Sequence, residues 1–161
     1  MEALRLIGAT RHALAGASGV RDIVTEAWQV QALAQAMGSH LAATGPAEIR
    51  AEACGLSEAG SRACGSLRQS VLRDGGVRAT QLSEMRDPRR ALLGLGGLLG
   101  DVGIALVTVA SASDEDGVYW QCMEAIDAAD ESSDRVLGLL RRFAVRERGP
   151  DDAWARRACG G

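Results

Sequence analysis

The residues best suited to chemistry form a series of carboxylates near the end of the chain. Between positions 114 and 134 there are eight acidic residues and no arginine. Four of them recur at spacings of three, four and three, which places them on one face of a helix. These four are Glu124, Asp127, Glu131 and Asp134. Such a face can bind a hard cation through oxygen ligands or dock a basic partner. The Glu-x-x-His pairs of a di-iron bundle are absent, so we predict a solvated acidic face.

Asp101 is the second candidate, because it is the single charge in the apolar run at positions 91–112. A buried charge needs a partner. One interpretation is an ion pair with an arginine of another helix, or exposure at the edge of a bundle. The other is a polar group that lines a pocket, bordered by Tyr119 and Trp120 after the following turn.

The sequence lacks the residues that several classes of enzymatic reaction need. The two histidines, His12 and His40, are isolated from each other and from any HxxxH or ExxH pattern. The chain has no lysine, which excludes a Walker phosphate loop and Schiff-base chemistry. The glycine run at 94–100 has Leu99 where a dinucleotide loop requires its third glycine. We therefore predict no cofactor and no metal site, and an enzyme is not favoured.

Composition indicates a small helical protein. A chain of 161 residues fits a single domain, and abundant alanine with few aromatic residues favours helix over sheet. The net charge of −3 does not suggest nucleic-acid binding. The absence of lysine beside abundant arginine, alanine and glycine is typical of GC-rich coding. Four cysteines without CxxC spacing and a charged N-terminal segment predict free thiols in a cytoplasmic protein.

Hydrophobic periodicity predicts an all-α, single-domain bundle of five or six helices. The clearest stripe alternates spacings of four and three, as in a bundle seam; it contains Ile23, Ala27, Val30, Ala34, Met37 and Leu41. The predicted helices cover residues 2–15, 20–44, 46–73, 91–112 and 118–145, with a short sixth at 77–85. We predict a bundle domain at 1–148 and a flexible tail at 149–161.

The apolar run at 91–112 contains five glycines and is long enough to cross a membrane. Asp101 near its middle would cost about 3 kcal/mol there, so we predict no membrane span. The β-branched second half also suits a buried strand, which would have no partner. We therefore favour a buried central helix in which Gly96 and Gly100 permit close helix contact. On that interpretation, Gly100→Leu should destabilise the fold by overpacking.

Three stretches carry a resemblance: MEALRLIGATRHAL, DIVTEAWQVQALAQA and YWQCMEAIDAADES. Over residues 2–148 the chain resembles an uncharacterised family of small cytoplasmic proteins from Streptomyces and related actinobacteria. The resemblance implies a bacterial cytoplasmic origin and carries no activity. Two functions follow as hypotheses. The first is a non-enzymatic helical interaction or scaffold protein with a protein partner or a second copy of itself. The alternative is a ligand-binding regulator with a core pocket near Asp101 and Trp120.

Overall fold

A computed structural model describes residues 1–67 and 76–158, with side chains as far as position 149. Five α-helices follow in chain order: α1 Ala3–Ala15, α2 Gly19–Thr44, α3 Arg50–Ser66, α4 Pro88–Ala112 and α5 Asp116–Ala158. Short 3-10 turns at Ala47–Ile49 and Arg78–Gln81 join them. Within the described ranges there is no strand, only a single parallel bridge between Glu2 and Glu84. The predicted all-α bundle is confirmed.

Side chains that cap the backbone set the helix ends. Glu2 accepts a hydrogen bond from the Leu4 amide at the start of α1, and Asp87 accepts one from the Arg90 amide at the start of α4. Pro88 occupies the first turn of α4, where its missing N–H costs nothing. Because this cap lies upstream of the apolar run, α4 begins three residues earlier than predicted.

Two other predicted helices are shorter in the structure. The helix predicted at 46–73 begins with a 3-10 turn and continues as α3, and its predicted end lies outside the described residues. The segment predicted as a helix at 77–85 contains only the four-residue turn Arg78–Gln81. In contrast, α5 continues to Ala158, beyond the predicted end at position 145. The predicted flexibility of 149–161 stays a prediction.

α2 is the helix around which the others pack. It contacts α1, α3, α4 and α5. Every residue of its predicted stripe is buried, and Val30, Ala34 and Met37 have no exposed surface at all. Burial of this kind contributes about 25 cal/mol for each Å² of apolar surface removed from water. α2, rather than the glycine-rich run, therefore forms the centre of the bundle.

The prediction that the glycine-rich helix is buried on all sides is wrong. One face of α4 does lie in the core, with Leu95, Leu98 and Leu106 fully buried against α1, α2 and α5. The opposite face is open, because Leu93 is 57% exposed and Ile104 is 70% exposed. α4 is an outer helix of the bundle, and apolar residues occupy positions where an outer helix usually carries polar ones.

The close helix contact predicted for α4 occurs instead between α2 and α3. A Cβ atom at Gly38 would lie 2.5 Å from the Ser57 nitrogen, and one at Gly60 would lie 2.6 Å from the Gln35 nitrogen. Each glycine thus faces the backbone of the other helix. A Cβ at Gly100 would meet nothing within 4 Å, so overpacking at Gly100 is no longer expected.

Candidate functional site

The acidic face of α5 is exposed along its whole length. Glu124, Asp127, Glu131 and Asp134 all point to solvent. Glu131 pairs with the Arg62 guanidinium of α3. In the part of the chain that the structure describes, no group of three or more potential ligands could hold a metal ion. The carboxylates therefore lie on a solvated surface, where Glu131 forms an interhelical ion pair.

Asp101 lies at the surface, on the edge of α4 next to α1. Its carboxylate is 3.5 Å from Nε of Arg11, and both side chains are about half exposed. Arg11 also donates a hydrogen bond to the Gly94 carbonyl oxygen at 3.3 Å. The structure thus matches the interpretation of an ion pair at the bundle edge. An exposed ion pair of this kind contributes at most about 1 kcal/mol to the stability of the fold.

The predicted core pocket near Asp101 and Trp120 is wrong, because both residues are on the surface. Trp120 is 65% exposed and Tyr119 is 44% exposed, and their rings pack edge to face with centroids 5.5 Å apart. Trp120 borders an open depression of about 340 Å³ together with Leu67 and Glu124. Asp101 does not line that depression.

An apolar groove of about 260 Å³ lies instead where α2, α3 and the Arg78–Gln81 turn meet. Its wall includes Trp28, whose indole N–H donates to the Cys64 carbonyl oxygen at 3.2 Å. Burial raises the pKa of the Cys64 thiol to about 11, so this thiol is protonated at neutral pH. The described residues that line the groove carry no charge. A protonated thiol in an uncharged groove is a poor nucleophile, and the groove is best explained as a packing seam.

Buried polar side chains, which sequence patterns did not single out, connect the helices. Gln29 donates to the Gly76 carbonyl oxygen at 2.9 Å and accepts from the Arg78 amide at 3.1 Å. Gln31 accepts a 2.7 Å hydrogen bond from Ser132 in the core between α2 and α5. These bonds satisfy polar groups that would otherwise be costly to bury, and their role is structural.

The most unusual surface is a line of residues on α4 that we call the outer face. Its members are small or aliphatic, are all exposed, and recur at spacings of four and three: Leu93, Gly97, Gly100, Ile104, Val107 and Ser111. Exposed arginines, Arg89 and Arg90, precede the line. Exposed carboxylates at positions 114–116 follow it, in the α4–α5 connection and at the first residue of α5.

The outer face leaves three large aliphatic side chains in water, and the Arg11 guanidinium lies beside this face at Gly97. Val107 is 52% exposed, and Ile104, one turn before it, and Leu93, near the start of α4, are exposed still more. Exposed apolar surface with charged residues at its rim is typical of contact surfaces in folded proteins. By length and composition alone Pro88–Ala112 could also cross a membrane, and a third of its most apolar window is buried in the bundle. Core helices of soluble proteins have the same properties, so the prediction of no membrane span stays a prediction.

A family model matches residues 1–142, from the start of α1 to within α5. The chain belongs to the family of unknown function DUF6099. The match includes all of α4, and hence the outer face, within the DUF6099 region. Neither a curated protein nor a solved structure matches the chain. The predicted likeness to an uncharacterised family is confirmed at that level.

Proposed function

We propose that this DUF6099 protein is a non-enzymatic interaction protein that binds another protein chain through the outer face of α4. The observation that carries the proposal is the exposure of three large aliphatic side chains on one line of a helix: Leu93, Ile104 and Val107. Covering them would remove apolar surface from water, which is the main driving force of protein association.

The packing of the inner side of α4 supports the same proposal. Its inner side is anchored by fully buried leucines such as Leu92 and Leu95. A preformed helix loses little conformational freedom on binding, so less of the contact energy is spent on ordering the surface. Apolar anchors at helical spacing are also how grooves and partner helices recognise an amphipathic helix.

The arrangement of ionisable groups favours interaction over catalysis. An active site usually gathers its acid, base and nucleophile in a concave pocket. Here the carboxylates Glu124, Asp127, Glu131 and Asp134 are exposed on α5, and His12 is exposed on a different helix, α1. The half-buried Cys64 thiol stays protonated at neutral pH, as its raised pKa indicates.

We also propose that the protein works in the cytoplasm of an actinobacterium, with no nucleic-acid or membrane partner. The lysine-free, arginine-rich composition is in keeping with a GC-rich genome. Three of the cysteines, Cys54, Cys64 and Cys122, are free thiols in the structure, which suits a reducing compartment. The net charge of −3 repels the phosphate backbone of nucleic acids.

Site-specific photo-crosslinking in the cell tests the proposal. A photoreactive phenylalanine analogue replaces Ile104 in one variant and Glu124, on the acidic face of α5, in a matched control. We expect protein adducts at position 104 at several times the yield at position 124, because only the first side chain points into the proposed contact. Equal yields at both positions, or none at 104, would contradict the proposed function.

A further inference from the structure

The outer face of α4 is complementary to itself when its direction is reversed. Along the chain its residues run large, small, small, large, large, small. Suppose that two copies of α4 lie antiparallel, with Val102 of one copy level with Val102 of the other. Leu93 of one copy then lies level with Ser111 of the other, Gly97 with Val107, and Gly100 with Ile104. Every pair then joins one large and one small residue, which is how side chains interdigitate between closely packed helices.

We propose that the outer face pairs with the same face of a second copy of this chain, with the two α4 helices antiparallel. This inference rests on the proposed function and names its partner. A parallel pairing in register would place Ile104 against Ile104 and leave Gly100 facing Gly100. The antiparallel pairing instead places each aliphatic side chain opposite a glycine, which has no side chain, or a serine, which has a small one.

The charges at the two ends of the outer face select the same orientation. The reversal that pairs the apolar residues also brings Arg90 of one copy to the end of α4 in the other, next to the exposed Asp114 of the α4–α5 connection, and Arg90 is exposed too. Glu115 and Asp116 extend the acidic end. An antiparallel pair therefore brings opposite charges together at both ends. A parallel pair would bring arginine to arginine and carboxylate to carboxylate, which opposes association.

The geometry also limits the assembly to two chains. The same patch serves both partners, so the contact is two-fold symmetric and closes on itself. From Leu93 to Ser111 the seam is about 27 Å long at 1.5 Å per residue. A single helix pair of that length is small beside permanent dimer interfaces, so we expect a reversible dimer.

Sedimentation velocity over a concentration series, from low micromolar to several hundred micromolar, tests the dimer. The mass of the wild-type protein should rise from 16.8 kDa toward twice that value. Ile104→Arg should remain a monomer throughout, because it places a charge at the centre of the seam. Val145→Arg is the matched control: Val145 is 60% exposed on α5, and its replacement should leave the association unchanged.

A charge exchange tests the orientation. Arg90→Glu and Asp114→Arg should each weaken the dimer several-fold. The double variant R90E/D114R should recover most of the wild-type association, since the charges are then exchanged between facing ends. If the double variant dimerises no better than the single variants, the antiparallel arrangement is overturned.

The remaining outcomes separate this inference from the proposed function. A wild-type protein that stays monomeric at every concentration overturns the dimer. If position 104 still crosslinks to a different protein in the cell, the proposed function survives that result. Flotation of the protein with vesicles of anionic phospholipid, abolished by Ile104→Arg, would assign the outer face to a membrane surface and would also overturn the dimer.

Discussion

Gly38→Ala should lower the free energy of unfolding by about 1–3 kcal/mol, the usual range for forced overpacking. A Cβ at this position would lie 2.5 Å from the Ser57 nitrogen and 2.7 Å from the Ala53 carbonyl oxygen. Both atoms belong to the backbone of α3, so no side chain can rotate to make room. The two helices must separate instead, which breaks packing along the whole α2–α3 seam.

Gly60→Ala should have an effect of similar size, because its Cβ would meet the α2 backbone at the Gln35 nitrogen and the Gln31 carbonyl oxygen. Gly103→Ala is the matched control. Gly103 also lies inside a long helix, but its Cβ would meet nothing within 4 Å. Alanine there should stabilise the protein by up to about 1 kcal/mol through helix propensity. Chemical denaturation of the three variants measures the difference, and equal effects would contradict the close α2–α3 contact.

Ser132→Ala should lower the free energy of unfolding by about 1–3 kcal/mol, which is the penalty for leaving a buried polar atom without a hydrogen-bond partner. The Ser132 hydroxyl has no exposed surface and donates to Oε1 of Gln31, which is only 2% exposed. The bond joins α2 to α5 inside the core, where water cannot easily replace the lost donor. Urea unfolding followed by circular dichroism measures the change.

Two further variants separate the hydrogen bond from the loss of the side chain. Ser133→Ala alters the neighbouring, half-buried residue of the same helix and should change stability by less than about 0.5 kcal/mol. Adding Gln31→Leu to Ser132→Ala removes both polar partners and should recover part of the loss. A Ser132→Ala variant as stable as wild type would show that the hydrogen bond contributes nothing.

The helices and the seam of α2 could be predicted because they depend on local information. Apolar residues at spacings of three and four place a stripe on one side of a helix wherever that helix packs. The stripe from Ile23 to Leu41 is accordingly buried throughout. The predicted end of this helix at position 44 also agrees with the structure, because Gly45 and Pro46 follow it and neither residue favours continuation of a helix.

The position of the closest helix contact could not be predicted in this way. Every glycine lacks a Cβ, and which glycine meets another backbone depends on where two helices cross in space. Nothing in the periodic sequence of α2 indicated a close contact at Gly38, although this glycine lies at the α2–α3 crossing. The five glycines of α4 predicted a close helix contact, yet Gly100 and Gly103 face open space.

The candidate site was misplaced for a related reason. Periodicity identifies the buried side of a helix only when the other side is polar, and the outer face of α4 is apolar. With both sides apolar, the sequence indicated a helix enclosed on all sides. For Asp101, the interpretation of an ion pair with an arginine of another helix at the bundle edge matches its pair with Arg11, whereas the alternative of a group that lines a core pocket does not.

The claim that α4 leaves one face open to solvent is tested most directly by thermal unfolding of Gly100→Leu. The substitution is made in the Ile104→Arg variant, so that self-association does not contribute. An open face predicts no loss of stability and a rise in Tm of about 2–4 °C, because leucine favours helix over glycine by somewhat less than 1 kcal/mol. A fall in Tm of several degrees would show that Gly100 is packed against other atoms, and would contradict the outer face together with the functions proposed for it.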